Sequence, residues 1–131
     1  MIGPLLIGGG LGLLTIVGMA RTGMIAERAA AAVMLIAVAL FFPVFAFDAG
    51  TIWDQVLHIG IFCVFIIWAV FGFRIGVPVI AAGLIAHGFM DAVFHATHHP
   101  APEWWPMFCA GFDVVAGGGL LLIHRKEKGL L

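Results

Sequence analysis

The stretch His87–Asp113, HGFMDAVFHATHHPAPEWWPMFCAGFD, concentrates the polar chemistry of this chain. It contains four of the six histidines, three carboxylates, two of the four tryptophans and one of the two cysteines. Pro100 and Pro102 in its centre stop a helix, so His98–Glu103 is predicted to be a loop between two apolar spans. Ionisable side chains are costly among apolar residues, so their clustering here predicts a functional site.

The composition of the whole chain predicts a membrane protein. Of its 131 residues, 63% are hydrophobic and 10% are charged, and the mean hydropathy is +1.18. Soluble domains contain about 45–50% apolar and about 25% charged residues. A water-soluble fold of this length has no room for so much apolar surface, which predicts lipid as the solvent. The net charge is −1 without a polybasic run, so we expect no nucleic acid partner.

Five apolar segments approach the length of a bilayer span, about 17–25 residues. The chain is therefore predicted to be an all-α, polytopic integral membrane helical bundle, with a single domain over residues 1–131. The predicted spans are Pro4–Ala20, Ala29–Phe47, Ile52–Phe73, Pro78–Ala96 and Trp104–His124. Pro43 is predicted to kink the second span. Gly8 and Gly12 form a GxxxG spacing, which favours close helix approach and is compatible with a homodimer.

All six cationic residues fall at one end of the predicted bundle. They occupy the first connection, the third connection and the tail after the fifth span: Arg21, Arg28, Arg74, Arg125, Lys126 and Lys128. The positive-inside rule predicts that this end is cytoplasmic. Five spans then put the N-terminus outside and the C-terminus in the cytoplasm, and the predicted location is the bacterial plasma (inner) membrane.

In three of the predicted spans, the half farther from the cationic end contains polar side chains four residues apart. The sets are Asp54 with His58, then His87 with Asp91 and His95, then Cys109 with Asp113. This spacing puts each set on one helix face. At a rise of about 1.5 Å per residue, the deeper members lie about 10–15 Å below the interface. Such stripes are unfavourable against lipid, so they are predicted to face one another inside the bundle.

Imidazole and carboxylate together suit a divalent metal ion, with zinc or iron as the predicted cofactor. The candidate metal ligands are His58, His87, Asp113, Asp54, His98 and His99. Asp91 and His95 are the candidate catalytic residues, which would pass a proton while the metal polarises a water or a carbonyl. Asp91 also belongs to the central group, and Asp54 and His95 lie about one turn nearer the surface.

Several of these residues also have a purely structural interpretation. Asp54 is the third residue after Thr51 and could complete a helix capping box. His58 could be satisfied by a backbone carbonyl, and His87 and Asp91 could pair without a metal. The loop histidines could simply be solvated.

Three patterns resemble known proteins. The chain resembles a family of small bacterial multi-span membrane proteins of unknown function in the pattern HGxxDxxxH followed by PEWWPxFCxxxD, over about Ala86–Asp113. The resemblance implies several membrane spans and a shared polar motif, without an established activity. His95–His99 matches the HxxHH box of membrane desaturases and alkane hydroxylases, but those di-iron enzymes need several boxes and more than six histidines. His and Asp from several spans are similar, at fold level, to zinc hydrolases of the alkaline ceramidase type.

The leading functional interpretation is a metal-dependent enzyme, of hydrolase or oxidase type, acting on a lipid or another membrane-dissolved substrate. A second interpretation is a haem- or pigment-binding accessory subunit of a membrane electron-transfer complex, with histidines as axial ligands. A third is a proton or metal transporter that uses the polar stripe as a relay.

Overall fold

The computed structural model describes residues 2–97 and 99–131, in which the regular structure is entirely helical. The helices are α1 (Ile2–Arg21), α2 (Arg28–Ala39), α3 (Phe41–Ala49), α4 (Ile52–Ile75), α5 (Val77–His95) and α6 (Trp105–Glu127). Since α2 and α3 form one continuous segment, five segments are long and apolar enough to cross a membrane. The predicted all-α fold with five spans is confirmed.

The second span is interrupted at Leu40, one turn before Pro43. Pro43 has no N–H to donate to the carbonyl of Ala39, and its ring crowds that carbonyl. Leu40 itself keeps helical backbone angles, with φ −62° and ψ −26°. The proline therefore breaks the hydrogen-bond ladder without ending the span.

Local sequence signals fix both ends of the third span. At the start of α4, Asp54 N–H donates to Thr51 Oγ1 (3.3 Å) and Thr51 N–H donates to Asp54 Oδ2 (2.7 Å), which completes a capping box. At its end, Gly76 adopts φ 156°, a conformation that favours glycine, and Pro78 lies in the first turn of α5. The connection between α4 and α5 is therefore a single residue.

Helix α6 lies between α1 and α5, and these two interfaces are the most extensive in the molecule. Helix α5 also contacts α4 and α2, and α3 packs against α4. Helix α1 joins the bundle mainly through α6. The polar half of α5 is consequently enclosed by neighbouring helices, while α1 remains peripheral.

Glycines bring α1 and α6 into backbone contact. A Cβ at Gly8 would collide with the carbonyl of Phe108, and one at Gly12 would lie 2.6 Å from the carbonyl oxygen of Phe112. A Cβ at Gly111 on α6 would likewise collide with a backbone carbonyl of α1. The GxxxG spacing thus serves an interface within the chain, and that face is not free to pair with a second copy.

A second glycine interface joins α5 to α6. A Cβ at Gly117 would lie 2.8 Å from the carbonyl oxygen of Ala81. A Cβ at Gly88 would lie 3.1 Å from the carbonyl oxygen of Ala110 and from Asp113 Cβ. The small residues let the polar stripe of α5 reach α6.

The cationic end of the bundle is separate from this polar region. Arg28 Nη1, at the start of α2, donates to the carbonyl oxygen of Arg74 near the end of α4 (3.2 Å). A cavity at the same end is lined by residues from the starts of α2 and α5 and the end of α6, including His124 and Lys128. The polar stripe of α5 lies toward the opposite end of that helix.

Candidate metal centre

Three ionisable side chains from α5 and α6 are buried together. His87 and Asp91 are one helical turn apart on α5, and Asp113 projects from α6. Their exposed fractions are 1%, 5% and 0%. Burial this complete is unusual for carboxylates unless they are paired or bind a cation.

The imidazole of His87 lies against both carboxylates. His87 Nδ1 is 2.6 Å from Asp113 Oδ2 and 3.2 Å from Asp91 Oδ2. One ligand atom from each residue lies within 4.8 Å of the other two. Small rearrangements of these side chains would bring the three atoms around one ion, so the group could hold a metal.

The two buried carboxylates of this group need either a compensating cation or bound protons. Within the part of the chain that the structure describes, His87 is the cationic partner within ion-pair distance of both carboxylates. A single imidazolium balances one of them, and burial penalises the remaining charge strongly. A divalent cation with a neutral imidazole would balance both.

The group borders a cavity between the helices. Its lining comes from α2, α3, α4, α5, α6 and the loop before α6: Val38, Phe41, Phe42, Phe45, His58, His87, Asp91, Phe94, His99, Pro100, Ala101, Trp105, Pro106 and Cys109. The cavity has a volume of about 20 Å³, room for one or two water molecules. A water could therefore lie beside the metal group on this side.

His58 lies on the wall of this cavity, outside the group of three. It is 4% exposed, and its ring centroid is 5.4 Å from that of Phe42 and 5.3 Å from that of Phe94. Phe42 also packs against His87, with centroids 4.8 Å apart. The ring of Phe42 therefore contacts both predicted ligands, His58 and His87. His58 lines the cavity and does not belong to the group of three.

The remaining predicted site residues are dispersed. Asp54 forms the capping box at the start of α4, which confirms its structural interpretation. His95 is the last residue of α5 and is half-buried, and His99 is a half-buried residue of the cavity wall. His98 lies outside the described residues.

The aromatic wall of the cavity was not predicted from the sequence. Phe41, Phe42 and Phe45 belong to one apolar run, FFPVF, within the second predicted span. Trp105, at the start of the fifth span, packs its ring against Phe41 with centroids 4.8 Å apart. The available signal was the spacing of the phenylalanines, which places them on neighbouring faces of one helix at the depth of His58.

Comparisons with protein-family models, with curated proteins and with solved structures found no match to this chain. The resemblance of the HGxxDxxxH…PEWWPxFCxxxD pattern therefore stays a prediction.

Proposed function

We propose that this chain is an integral membrane protein that binds a divalent metal ion through His87, Asp91 and Asp113. We further propose that the ion serves a reaction on a lipid or another membrane-dissolved molecule. The observation that carries the proposal is the convergence of one imidazole and two carboxylates, all buried, within 4.8 Å. Five apolar spans around this group make lipid the surrounding solvent.

The donor chemistry supports zinc or iron. Imidazole nitrogen and carboxylate oxygen suit both ions, and three protein ligands leave coordination positions for a substrate or a water. A bound ion would act as a Lewis acid toward a carbonyl or phosphoryl oxygen, or would activate a water. The cavity beside the group has room for such a water.

The protein's own residues would position the substrate and carry protons. The cavity wall is mainly apolar and aromatic, which would favour an apolar substrate once these side chains moved apart to admit one. Asp91 belongs to both the metal group and the cavity wall, so it can exchange a proton with a molecule bound there. His95 lies one turn beyond Asp91, at the end of α5, and would pass that proton outward.

Topology follows from the basic end of the bundle. Arg28, Arg74 and Lys128 belong to the end that the positive-inside rule assigns to the cytoplasm. The metal group lies toward the other end of α5, so we place it in the outer half of a bacterial plasma membrane. A reporter enzyme that is active only outside the cytoplasm is expected to stay inactive when it is fused after Lys128. An active fusion would contradict the proposed orientation.

Elemental analysis tests the metal proposal. Protein purified without chelator is expected to carry about one divalent ion per chain, because a buried preformed site loses its ion slowly. The His87→Ala variant should lose this ion, since it removes the imidazole shared by both carboxylates. His124→Ala, a histidine at the cationic end, is the matched control and should retain it.

Two results would contradict the proposal. One is native protein with less than about 0.1 ion per chain that also takes up none from added Zn²⁺ or Fe²⁺. The other is equal metal content in the His87→Ala and His124→Ala proteins.

A further inference from the structure

We propose that the cationic end of the bundle binds an anionic phospholipid. Its phosphate would lie in the cavity that Arg28 and Lys128 line, and one acyl chain would follow the groove between α2 and α4. This site is distinct from the metal group, which lies toward the other end of α5, and it does not depend on a bound metal.

An open cavity lies where three helices meet at the cationic end. The starts of α2 and α5 and the end of α6 line it, and its volume is about 430 Å³. Small-molecule pockets occupy about 300–1,000 Å³. The cavity is therefore large enough for a glycerol phosphate headgroup, unlike the water-sized cavity beside the metal group.

The charged residues of this cavity favour an anion. With His124 neutral, the two cations Arg28 and Lys128 face one carboxylate of the described lining, that of Glu127. Within the part of the chain that the structure describes, the ion pairs are those of His87, so Glu127 neutralises neither cation. Helices α2 and α5 also begin here without side-chain caps, and the first turn of a helix adds partial positive charge. A phosphate would balance this excess.

Hydrogen bonds to α4 orient Arg28 for this role. Its Nη1 donates to the carbonyl oxygens of Arg74 (3.2 Å) and Phe73 (3.5 Å). A guanidinium has further N–H donors in the same plane, so Nη2 and Nε can still donate to a phosphate. Charge-assisted hydrogen bonds between arginine and phosphate are strong and directional, so an arginine that is already oriented suits this ligand.

An apolar groove begins beside Arg74 and runs between α2 and α4. Its volume is about 560 Å³, and between Ala29 and Ile36 it follows α2 for about 10 Å. The small side chains of Ala32 and Ala69, which are 7% and 0% exposed, belong to its lining. Since the surrounding solvent is lipid, part of an acyl chain is the occupant that this groove fits.

The cavity and the groove adjoin in the order that a phospholipid requires. Arg28 lines the cavity, Arg74 lines the groove, and the hydrogen bond between these two residues joins them. The cavity lies at the ends of three membrane spans, at the depth of lipid headgroups, and the groove extends from there along two spans. A phosphate and an acyl chain on one glycerol can therefore occupy both.

Charge favours an anionic lipid over a zwitterionic one. A phosphatidylcholine headgroup has a cation beside its phosphate, and Arg28 and Lys128 would repel that cation. Phosphatidylglycerol has a negative charge alone, and each cation near the membrane surface adds to the attraction. A free phosphate would make the same charged contacts without the contacts of the acyl chain, so it should bind more weakly.

Native mass spectrometry of the full chain, purified in a non-ionic detergent and titrated with phosphatidylglycerol, tests the proposal. Bound phosphatidylglycerol is expected, with a Kd at least about fivefold below that of phosphatidylcholine. Arg28→Gln removes the charge and keeps a donor for the Arg74 carbonyl, and it should raise the Kd at least about fivefold. Lys128→Gln, at the exposed end of α6, leaves helix packing intact and should also raise the Kd.

Matched controls separate this site from a general attraction to cations. Arg125→Gln makes the same change at an exposed cation outside the described linings and should keep the wild-type Kd. Ala29→Phe should fill the start of the groove and weaken binding, whereas Ala20→Phe, at an exposed alanine of α1, should not. Inorganic phosphate at about 10 mM should not displace the lipid, because it has no acyl chain.

The outcomes distinguish this proposal from the metal proposal. Equal Kd values for phosphatidylglycerol and phosphatidylcholine overturn it, and so does wild-type binding in both Arg28→Gln and Lys128→Gln. Wild-type binding in Ala29→Phe, or displacement of the lipid by inorganic phosphate, shows that the groove holds no acyl chain and also overturns it. Protein that binds phosphatidylglycerol as expected but takes up no metal overturns the proposed function and supports the lipid site.

Discussion

Replacing Asp113 with asparagine is expected to weaken Zn²⁺ binding by more than about 100-fold, since loss of even an indirect partner costs about 10–100-fold. Asp113 is fully buried and its Oδ2 lies 2.6 Å from His87 Nδ1. Asparagine keeps the shape of the side chain and removes its negative charge. The measurement is competition between the purified protein and a fluorescent zinc chelator of known affinity.

Two matched variants show whether the effect belongs to the group. Asp91→Asn removes the other carboxylate and should also weaken binding strongly. Asp48→Asn makes the same change at an exposed position at the end of α3 and should leave the affinity unchanged. Equal affinities for Asp113→Asn and Asp48→Asn would show that Asp113 does not bind the metal.

Replacing Gly111 with alanine is expected to destabilise the protein more than any other single added methyl group on α6. The new Cβ would collide with the backbone carbonyl of Leu5 and lie 3.0 Å from the backbone nitrogen of Gly9. Backbone atoms cannot rotate away, so α1 and α6 must separate. Overpacking of this kind costs about 1–3 kcal/mol or more, which should lower the Tm in detergent by at least about 5 °C.

Gly118→Ala provides the matched comparison, because the same substitution in the same helix meets nothing within 4 Å. Alanine is the better helix former, so this variant should keep or slightly raise the Tm. On α1, Gly8→Ala and Gly10→Ala form an equivalent pair, with a collision at Gly8 and open space at Gly10. Equal Tm values within both pairs would contradict the close α1–α6 interface.

The sequence predicted the five spans because lipid imposes a length and a composition that each segment must meet. The observed spans extend the predicted ones by a few residues at most ends, as in Ile2–Arg21 for the first and Arg28–Ala49 for the second. Helix ends continue into the interfacial region, where polar residues such as Arg21 are compatible with both helix and water. The hydropathy of the sequence alone therefore does not predict the last turns of these helices.

Helix partners were harder to predict than helix positions. Gly8 and Gly12 showed that a close approach was favourable, but the spacing is the same whether the partner is a second copy or another span. The complementary glycine, Gly111, lies about 100 residues away in the sequence at a position with no motif of its own. The packing became apparent only from the three-dimensional fold.

The candidate site was predictable where two side chains lie on adjoining helices. His87 and Asp113 fall on the facing stripes of α5 and α6, and the structure places them in contact. His58 shares their depth, but depth does not fix the rotation of α4 about its axis or the position of Phe42. Sequence spacing therefore gave the level of each residue in the membrane and left its lateral neighbours undetermined.

The three carboxylate and imidazole groups of the centre belong to one helical hairpin, α5 and α6. Within this sequence α6 is the last of the five spans to be made, so the hairpin is completed only after the other four. A nascent chain that has inserted α5 without α6 holds His87 and Asp91 in the bilayer without Asp113. Under the proposed function, the ion would therefore bind only after α6 has joined α5.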